Sequence, residues 1–390
     1  MATRIFDIDL SESNIPGAVQ GDYRQGLFLL RAAGRPIGKV AVPVHAGATS
    51  PRTLQRSVHD NILTLAAVTR WRARLAPANP PDLPTATVAI CTRERPDDLR
   101  RALASLTAPR QGQEVLVIDN CPATDATRTV AAEFPGVRYV VEPVKGLDNA
   151  RNRAIAEAKT EVLAFIDDDA VAEPDWLAEL IRPFSDSRVH CTTGLTMPLE
   201  LETEAQEKFE SLSGFSMRGF YARTFRSPPH NPLIVGDIGA GVNMALRLSF
   251  VARIGPFDPA LDAGTATQSG GDHEYYTRIL KAGGRIEFTP YALNWHRHRR
   301  GWEDLQKALW GYGVGVYAAW TSTFVKDRDW GVFRCAFGWF RHDQVPTLIR
   351  AYLRPSADLP KAILWAQLRG CASGPAAYFK ARRAAARQRA

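Results

Sequence analysis

Three consecutive carboxylates, Asp167, Asp168 and Asp169, follow an apolar run at residues 162–166. Such a run is typical of a buried parallel strand, and ligands of open α/β sheets bind beyond the carboxyl ends of these strands. Because side chains alternate along an extended chain, we expect Asp167 and Asp169 to face one way and Asp168 the other. Two converging carboxylates repel each other unless they bind a hard divalent cation such as Mg²⁺. The alternative is a solvated acidic turn before a helix near residue 174.

Strands and helices alternate on both sides of this run. We predict strands at residues 87–90, 114–120 and 137–141, and helices that begin at residue 96 and after residue 146. This order implies a parallel sheet wound by right-handed crossovers, so the polar residues that end the strands share one edge. At that edge Asp119 could accept a hydrogen bond from an N–H of a nucleobase. The possible donors to phosphate are Arg93, Arg95 and Arg151.

The chain of 390 residues divides into three predicted parts. A proline-rich stretch at residues 76–84 marks a boundary. We therefore predict a small N-terminal domain with its linker (1–84), a main domain (85–317) and a helical, basic and aromatic C-terminal extension (318–390). The N-terminal part is predicted to form a β-hairpin from residues 26–31 and 37–44 and a helix at residues 54–75. Its residues indicate no chemical role.

The net charge of +8 is concentrated near the C-terminus. Residues 331–390 carry eleven Lys and Arg against two acidic residues, whereas residues 1–330 carry 38 basic and 39 acidic residues. A neutral body argues against an enzyme that works on nucleic acid. Together with the aromatic residues between 320 and 340, the basic segment fits attachment to a membrane surface and hence a lipid-linked acceptor. Packing of these aromatic residues against the main domain is the alternative.

The cysteine pattern bears on the compartment. The five cysteines have neither CxxC nor His-partnered metal spacing, which favours a reducing environment. The first residues show no signal-peptide pattern, and no run of eighteen apolar residues occurs. We therefore expect a cytoplasmic protein, peripheral on the inner face of the membrane if the basic extension binds lipid.

Two common nucleotide-binding motifs, GxGxxG after the first strand and GxxxxGK[ST], are absent. Instead, an ordered series of short motifs from residue 85 to 317 resembles the inverting family 2 glycosyltransferases of the GT-A fold. The motifs lie at residues 90–95, 117–120, 146–152, 167–169 and 239–245, and the aspartates at 167–169 resemble the DxD motif of that family. Each motif is short, but their order and spacing together are specific.

The resemblance implies a fold, a donor and a metal ion. The α/β fold would be of GT-A type, with a single mixed, mostly parallel sheet flanked by helices, a small N-terminal β-containing extension and a helical C-terminal tail. The donor would be a nucleotide-diphosphate sugar, and the residues implied to bind it are Thr92, Glu94, Arg95, Asp119, Arg151, Asp167 and Asp168. Asp169 would bind Mg²⁺ or Mn²⁺, which stabilises the negative charge on a leaving diphosphate.

An inverting transfer also needs a base, a carboxylate that deprotonates the acceptor hydroxyl as it attacks the anomeric carbon. The stretch 269–280 resembles the catalytic motif of the family. Aligning Arg278 with that motif places Asp272 at the base position and Gly271 where glutamate is common, so Glu274 remains the second candidate. The structural alternative makes Asp272 an N-cap and Glu274 an acid of the first helical turn.

The resemblance also implies a histidine near the diphosphate or metal ion. Neutral imidazole can be a third protein ligand, and we expect His296 in this role with His298 as the alternative. On the acceptor side the implied residues are Gly241, Asn243 and Glu274.

These residues together predict a metal-dependent inverting glycosyltransferase with Asp272 as base. Its acceptor would be a glycan, a lipid-linked or a small-molecule hydroxyl, as in the synthesis of cell-envelope polysaccharide. One alternative is a sugar-phosphate nucleotidyltransferase, but residues 92–95 lack the glycine of a phosphate loop. Another is a non-catalytic nucleotide- or carbohydrate-binding module, which predicts a broken carboxylate set, whereas Asp119, Asp167, Asp169 and Asp272 are all present.

Overall fold

The computed structural model describes residues 2–10, 22–45, 48–49, 67, 82–106, 113–353 and 361–389. The helix expected at residues 54–75, apart from residue 67, lies outside the described residues. The same holds for the proline-rich linker up to residue 81.

A small N-terminal sheet packs against the main domain. Its strands are β1 (Ala2–Asp9), β2 (Tyr23–Ala32), β3 (Arg35–His45) and β4 (Ala48–Thr49). β2 and β3 form the predicted antiparallel hairpin, and β1 pairs in parallel with β2. Phe28 and Leu30 pack within the small sheet, whereas Leu27 and Leu29 join the core of the main domain. Apolar side chains therefore attach this sheet to the rest of the protein.

The main domain is built on a sheet of nine strands. They are β5 (Ala86–Thr92), β6 (Gln113–Asn120), β7 (Val137–Glu142), β8 (Val162–Ile166), β9 (Ala170–Ala172), β10 (Val189–Pro198), β11 (Arg223–Phe225), β12 (Asn243–Arg247) and β13 (Arg285–His296). Their order is β11-β13-β10-β12-β8-β5-β6-β7, with β9 beside β13. β5, β6, β7 and β8 run parallel, while β12 is antiparallel to β8 and β10. The sheet is thus mixed, with the predicted parallel strands in one half.

Burial on both faces explains the continuous apolar runs of these strands. On β6, Val115 and Val117 face one core cluster, and Leu116 and Ile118 face the other. Because both faces are covered, β6 shows no alternating pattern, and its polar residues lie near its ends. The candidate functional residues therefore lie at the carboxyl edge of the sheet.

Helices cover the two faces. They are α1 (Pro96–Leu106), α2 (Ala126–Ala132), α3 (Leu147–Glu157), α4 (Trp176–Ile181), α5 (Glu204–Ser213), α6 (Leu248–Ile254), α7 (Gly271–Lys281), α8 (Trp302–Asp327), α9 (Gly331–Trp339), α10 (Val345–Leu353) and α11 (Lys361–Arg389). As predicted, α1 begins at Pro96 and buries Leu99 and Leu103. Within the described ranges, no helix is long and apolar enough to cross a bilayer.

The C-terminal extension is helical and packs along α8. This helix runs without a break across residue 317, so the boundary predicted there lies inside a helix. α8 and α11 approach so closely that a side chain at Gly313 would collide with the carbonyl of Gln367. α8 also contacts the loop before α7, where Ser269 Oγ donates to the Gly311 carbonyl at 2.9 Å. The first half of α8 therefore braces the loop that leads to Asp272, and α11 of the extension packs against α8.

Candidate functional site

A cavity of about 840 Å³ opens at the carboxyl ends of the parallel strands. Its walls come from the turn after β8, the loops before α3 and β12, the start of α7 and the first turns of α8. Nine of the thirteen site residues expected from the sequence line it: Thr92, Arg95, Arg151, Asp167, Asp168, Asp169, Gly241, Asp272 and His296. The fold thus brings to one place residues that are far apart in the chain.

The three aspartates occupy a turn, because β8 ends before them. Thr92 Oγ1 donates to Asp168 Oδ2 at 2.7 Å. Arg95 Nη1 donates to Asp168 Oδ1 at 3.0 Å and to Asp169 Oδ2 at 3.2 Å. The expected alternation of the aspartates is therefore wrong. Once the chain leaves the extended conformation, Asp168 and Asp169 can share one guanidinium.

The aspartates titrate differently because their neighbours differ. Burial and the charge of Asp169 raise the pKa of Asp167 and of Asp168. Burial also acts to raise the pKa of Asp169, but the charges of His296 and Arg95 outweigh it and hold that pKa below its usual range. The turn therefore concentrates carboxylates whose mutual repulsion a cation would relieve.

A chain of hydrogen bonds runs from Asp169 to the N-terminal sheet. His296 Nε2 lies 3.2 Å from Asp169 Oδ1, and His296 Nδ1 lies 3.1 Å from His298 Nδ1. His298 Nε2 lies 3.1 Å from Glu210 Oε2, and Lys39 Nζ donates to Glu210 Oε1 at 2.7 Å. His298 and Glu210 are 3% and 7% exposed. The residues inside this chain are therefore shielded from water.

These hydrogen bonds determine which tautomer a neutral His296 adopts. Burial lowers the pKa of His298, so that ring is neutral, and an ionised Glu210 can only accept the proton on its Nε2. His298 Nδ1 is then an acceptor, so the Nδ1–H of His296 must donate to it. When His296 is neutral, its Nε2 carries a lone pair towards Asp169. That is the form of histidine that binds a metal ion.

The residues fit a cation that is shared with a bound nucleotide. Asp169 and His296 present one carboxylate and one imidazole nitrogen side by side. Within the described part of the chain, no group of three His, Cys, Asp or Glu side chains could hold a metal ion by itself. Mg²⁺ commonly takes one or two carboxylates plus substrate phosphates, so Asp169 would fit that pattern and His296 would add an imidazole nitrogen.

Arg151 lies in another wall, between two buried acids. Its Nη1 donates to Asp148 Oδ1 at 2.9 Å and to Asp262 Oδ2 at 2.7 Å. Burial and the charge of Asp262 raise the pKa of Asp148 well above its usual range. Arg151 therefore joins α3 to the loop before α7, in addition to the nucleotide contact expected from the sequence.

Asp272 stands in the first turn of α7 and faces the cavity. The N-cap is Gly270, with a φ of 102°, so the alternative in which Asp272 caps this helix is wrong. The N–H of Gly241 donates to Asp272 Oδ2 at 2.9 Å, and that of His273 donates to Oδ1 at 2.8 Å. The lack of a side chain at Gly241 lets this loop approach Arg151 closely, because any side chain there would collide with the guanidinium. Two backbone donors thus orient the carboxylate.

Glu274, the second candidate for the base, lies outside the cavity lining. It is 3% exposed, and its carboxylate accepts from Arg278 Nη2 at 2.9 Å and from Lys326 Nζ at 3.0 Å. A buried carboxylate between two cations is an ion pair that joins α7 to α8. The expectation that Glu274 faces the acceptor is therefore corrected, and Asp272 is the candidate that reaches the cavity.

Asn243 and Glu94 also lie outside the lining. Asn243 is fully buried, and its Nδ2 donates to the carbonyls of Leu195 and Ala292 at 2.9 Å, so it joins strands and does not face an acceptor. Glu94 accepts from the N–H of Ala123 at 2.7 Å, which fixes the loop after β6. Both residues hold the frame of the site.

Asp119 is buried behind the cavity at the end of β6. The Tyr139 hydroxyl donates to Asp119 Oδ2 at 2.7 Å. Burial raises the pKa of Asp119, against the hydroxyls of Tyr139 and Thr127, which lower it. The structure thus places this carboxylate one residue before Asn120, which does line the cavity.

Five residues in or beside the cavity were not predicted from the sequence: Lys145, Glu210, Arg218, Asp262 and Tyr312. Lys145 directly precedes the motif at 146–152, and this adjacency was the available signal. Arg218 ends a 3₁₀ turn (Phe215–Arg218), and Tyr312 belongs to α8, where no motif marks either of them. All but Glu210 line the cavity.

Similarity to known proteins agrees with this geometry. Residues 87–247 match the family model described as "Glycosyl transferase family 2". This part of the chain is therefore similar to that glycosyltransferase family. The resemblance noted from its motifs is therefore confirmed.

Relatives and a solved structure agree with this similarity. The Pre-mycofactocin glycosyltransferase of Mycobacterium tuberculosis is 27% identical over 267 residues, which cover 65% of this chain and 52% of that protein. Glycosyltransferase AglE of Haloferax volcanii is 24% identical over 247 residues, covering 61% of this chain and 75% of that protein. This chain thus spans about half the length of the first relative.

The mannosyltransferase PcManGT from Pyrobaculum calidifontis, in complex with GDP-Man and Mn²⁺, superposes with a TM-score of 0.52. It is 16% identical, and the match covers 79% of this chain and 94% of that chain. This likeness supports the shared fold, and the GT-A architecture predicted from the sequence is confirmed.

Proposed function

We propose that this glycosyltransferase moves a sugar from a nucleotide-diphosphate sugar to an acceptor hydroxyl, with inversion and with bound Mg²⁺ or Mn²⁺. The observation that carries the proposal is that Asp169, beside His296, and Asp272, held by two backbone N–H groups, line one cavity. The GDP-Man and Mn²⁺ bound by PcManGT support a donor and cation of this kind.

The donor would lie along the carboxyl ends of β5, β6 and β8. Thr92, Arg95 and Arg151 stand on this side, with Asp167 and the exposed Lys145 facing the same space. Cationic side chains there can bind the diphosphate through charge-assisted hydrogen bonds. A divalent ion held by Asp169 and His296 would supply Lewis-acid stabilisation of the charge on the leaving diphosphate.

Asp272 would act as the general base. Its carboxylate takes the proton of the acceptor hydroxyl while that oxygen bonds to the anomeric carbon, and the bond from that carbon to the diphosphate oxygen breaks. The electron pair of the broken bond leaves with the diphosphate. Because Gly241 and His273 already orient the carboxylate, little reorganisation is needed at the moment of reaction.

Calorimetry with UDP, GDP, CDP and dTDP, each with and without Mn²⁺, tests the donor part of this proposal. At least one of these nucleotides is expected to bind more tightly when Mn²⁺ is present. Failure of all four to show metal-dependent binding would contradict the proposed donor site.

Replacing Glu210 is expected to weaken metal-dependent nucleotide binding, although this residue touches neither ligand. Glu210→Leu removes the acceptor that orients His298 and, through it, His296. Loss of such an outer partner typically lowers metal affinity about 10- to 100-fold. Titration of Mn²⁺ into the nucleotide complex measures this loss, and nucleotide affinity without metal should stay the same.

Two further variants make the Glu210 test specific. Glu210→Gln keeps an acceptor oxygen and should be milder. Lys39→Met removes the ion pair with Glu210 but leaves the acceptor, so it reports the effect of that pair alone. Equal Mn²⁺ affinity in Glu210→Leu and the parent protein would show that the histidines need no such partner.

We also propose that α9 and the turn after it contact an anionic membrane surface. Four large side chains, spaced so that they share one helical face, are 45–70% exposed: Trp330, Phe333, Phe337 and Phe340. Arg334 and Arg341 are exposed beside them. Trp320, by contrast, is 7% exposed and packs inward, as the packing alternative predicted. An aromatic face with cationic residues is typical of a helix that lies in the membrane interface.

The double variant Phe333→Ser/Phe337→Ser should bind vesicles that contain phosphatidylglycerol at least about tenfold more weakly, because each lost phenyl group forfeits about 1.5–3 kcal/mol of apolar burial. Binding of the parent protein should also fall with salt, since charges are screened over about 10 Å at 0.1 M. Tyr221→Ser, at a residue 61% exposed elsewhere, is the control for cosedimentation. A parent protein that ignores these vesicles at low salt would contradict the proposal.

A further inference from the structure

The cavity wall that includes Asp272 also contains a cation, Arg218, that forms no ion pair with a described residue. Arg218 Nη1 donates to the Phe215 carbonyl at 3.3 Å, and the guanidinium lies 5.6 Å from the centre of the Phe215 ring. Its Nε is buried and has no hydrogen-bond partner in the described part of the chain. No carboxylate of the described residues forms an ion pair with it, and burial lowers the pKa of Arg218. A half-buried cation whose Nε is shielded from water and unpaired costs free energy unless a ligand pairs with it.

Two tyrosine hydroxyls belong to the same wall. The Tyr276 hydroxyl is buried and has no hydrogen-bond partner among the described residues. Tyr312 lines the same cavity as Arg218 and is near enough for the cation to act on its hydroxyl. Burial raises the pKa of Tyr276 well above its usual range and that of Tyr312 to about 12, so both are neutral O–H donors near pH 7. A guanidinium has only donors, and each phenol O–H can donate as well, so the three groups can all donate hydrogen bonds to one anion.

Position decides which substrate would carry that anion. The ionisable groups that act most on Arg218 are Tyr276, Asp272 and Tyr312. Those that act most on Arg95 are the three consecutive aspartates, on the donor side. Arg218 and the proposed base line the same cavity, and their charges act on each other, so we assign Arg218 to the acceptor side and Arg95 to the diphosphate side.

We propose that Arg218, with Tyr276 and Tyr312, binds a carboxylate or phosphate carried by the acceptor close to its reactive hydroxyl. The inference rests on the proposed function, because the role of Asp272 as base defines the acceptor side. An acceptor without such a group leaves the half-buried guanidinium unpaired, so the wall selects for anionic acceptors.

The test uses protein saturated with a nucleoside diphosphate and Mn²⁺, into which glucose, glucuronate and glucose 6-phosphate are titrated by calorimetry. At least one charged sugar is expected to bind about tenfold or more tightly than glucose, since hydrogen bonds to charged groups are the strong ones. Comparison of the two charged sugars tells whether the wall takes a carboxylate or a phosphate.

Four variants assign that preference to this wall. Arg218→Gln should abolish it, Arg218→Lys should keep part of it, and Tyr276→Phe should weaken it by removing only a hydroxyl. Arg223→Gln is the control, because Arg223 follows in the same segment but donates to Asp237 outside the cavity. Melting temperatures confirm that each variant is folded.

Equal affinity of the parent protein for the three sugars, including no detectable binding of any at millimolar concentration, would overturn the inference. So would an Arg218→Gln variant that keeps the preference but binds the nucleotide more weakly, because Arg218 would then belong to the donor phosphates. Failure of the nucleotide itself to bind with Mn²⁺ is a different result, and it would contradict the proposed function instead.

Discussion

Asp272→Asn is expected to slow sugar transfer about 10²- to 10⁴-fold while the protein stays folded and binds its donor. Asparagine keeps the shape of the side chain and one oxygen for a backbone N–H, but it cannot take a proton from the acceptor near pH 7. Its amide group faces the other N–H donor, of Gly241 or His273, and losing that bond should cost about 1 kcal/mol. Steady-state rates and calorimetric donor affinity separate the two effects.

Glu274→Gln should show the opposite pattern. This residue is joined to Arg278 and Lys326 in a buried ion pair, and removing one charge from such a pair can cost about 3–5 kcal/mol of stability. We therefore expect a lower melting temperature, with turnover close to that of the parent protein at temperatures where the variant is folded. A larger loss of rate in Glu274→Gln than in Asp272→Asn would move the base to Glu274.

Asp169→Asn is expected to remove the metal-dependent part of nucleotide binding, by about a hundredfold or more, since even outer partners of metal ligands are worth 10- to 100-fold. Fold stability should change little. The substitution deprives Arg95 and His296 of a charged partner, but it also relieves repulsion of Asp167 and Asp168. Calorimetry of the nucleotide with and without Mn²⁺ measures the loss.

Asp304→Asn is the matched control for Asp169→Asn. Asp304 is an exposed carboxylate in the first turn of α8 that lines the same cavity. Its loss lowers the negative charge of the cavity equally without touching the Asp169–His296 pair. If both variants lose the same metal dependence, general charge rather than a specific ligand would explain the binding of the cation.

The edge of the sheet that carries the site was predictable because its physical signals are local. Continuous apolar runs identified parallel strands, and the polar residues directly after them, from Thr92 to Asp169, had to share one edge. The choice between Asp272 and Glu274 was predictable in principle. Side chains two positions apart on a helix are rotated by about 200° from each other. One of these two carboxylates therefore faces the cavity when the other faces the core.

Other parts of the site depend on contacts between distant segments, which no local pattern reveals. Glu210 and Lys39 are 171 positions apart, and only tertiary packing brings the N-terminal hairpin to the histidines. Arg218 lies in a 3₁₀ turn without a motif. The direction of Asp168 was mispredicted because the strand ends at Ile166, whereas alternation assumes an extended chain through Asp169.

The proposed reaction is a single displacement on a nucleotide sugar. The anomer that slow hydrolysis of the donor releases tests this mechanism most directly. Water takes the place of the acceptor, so no acceptor need be known. Nucleotide sugars are incubated with the protein and Mn²⁺, and proton NMR records the first free sugar before it mutarotates. The predicted result is that the released sugar has the inverted configuration. The release itself should be lost in Asp272→Asn and in the absence of Mn²⁺. Release of the sugar with the configuration of the donor would contradict the account.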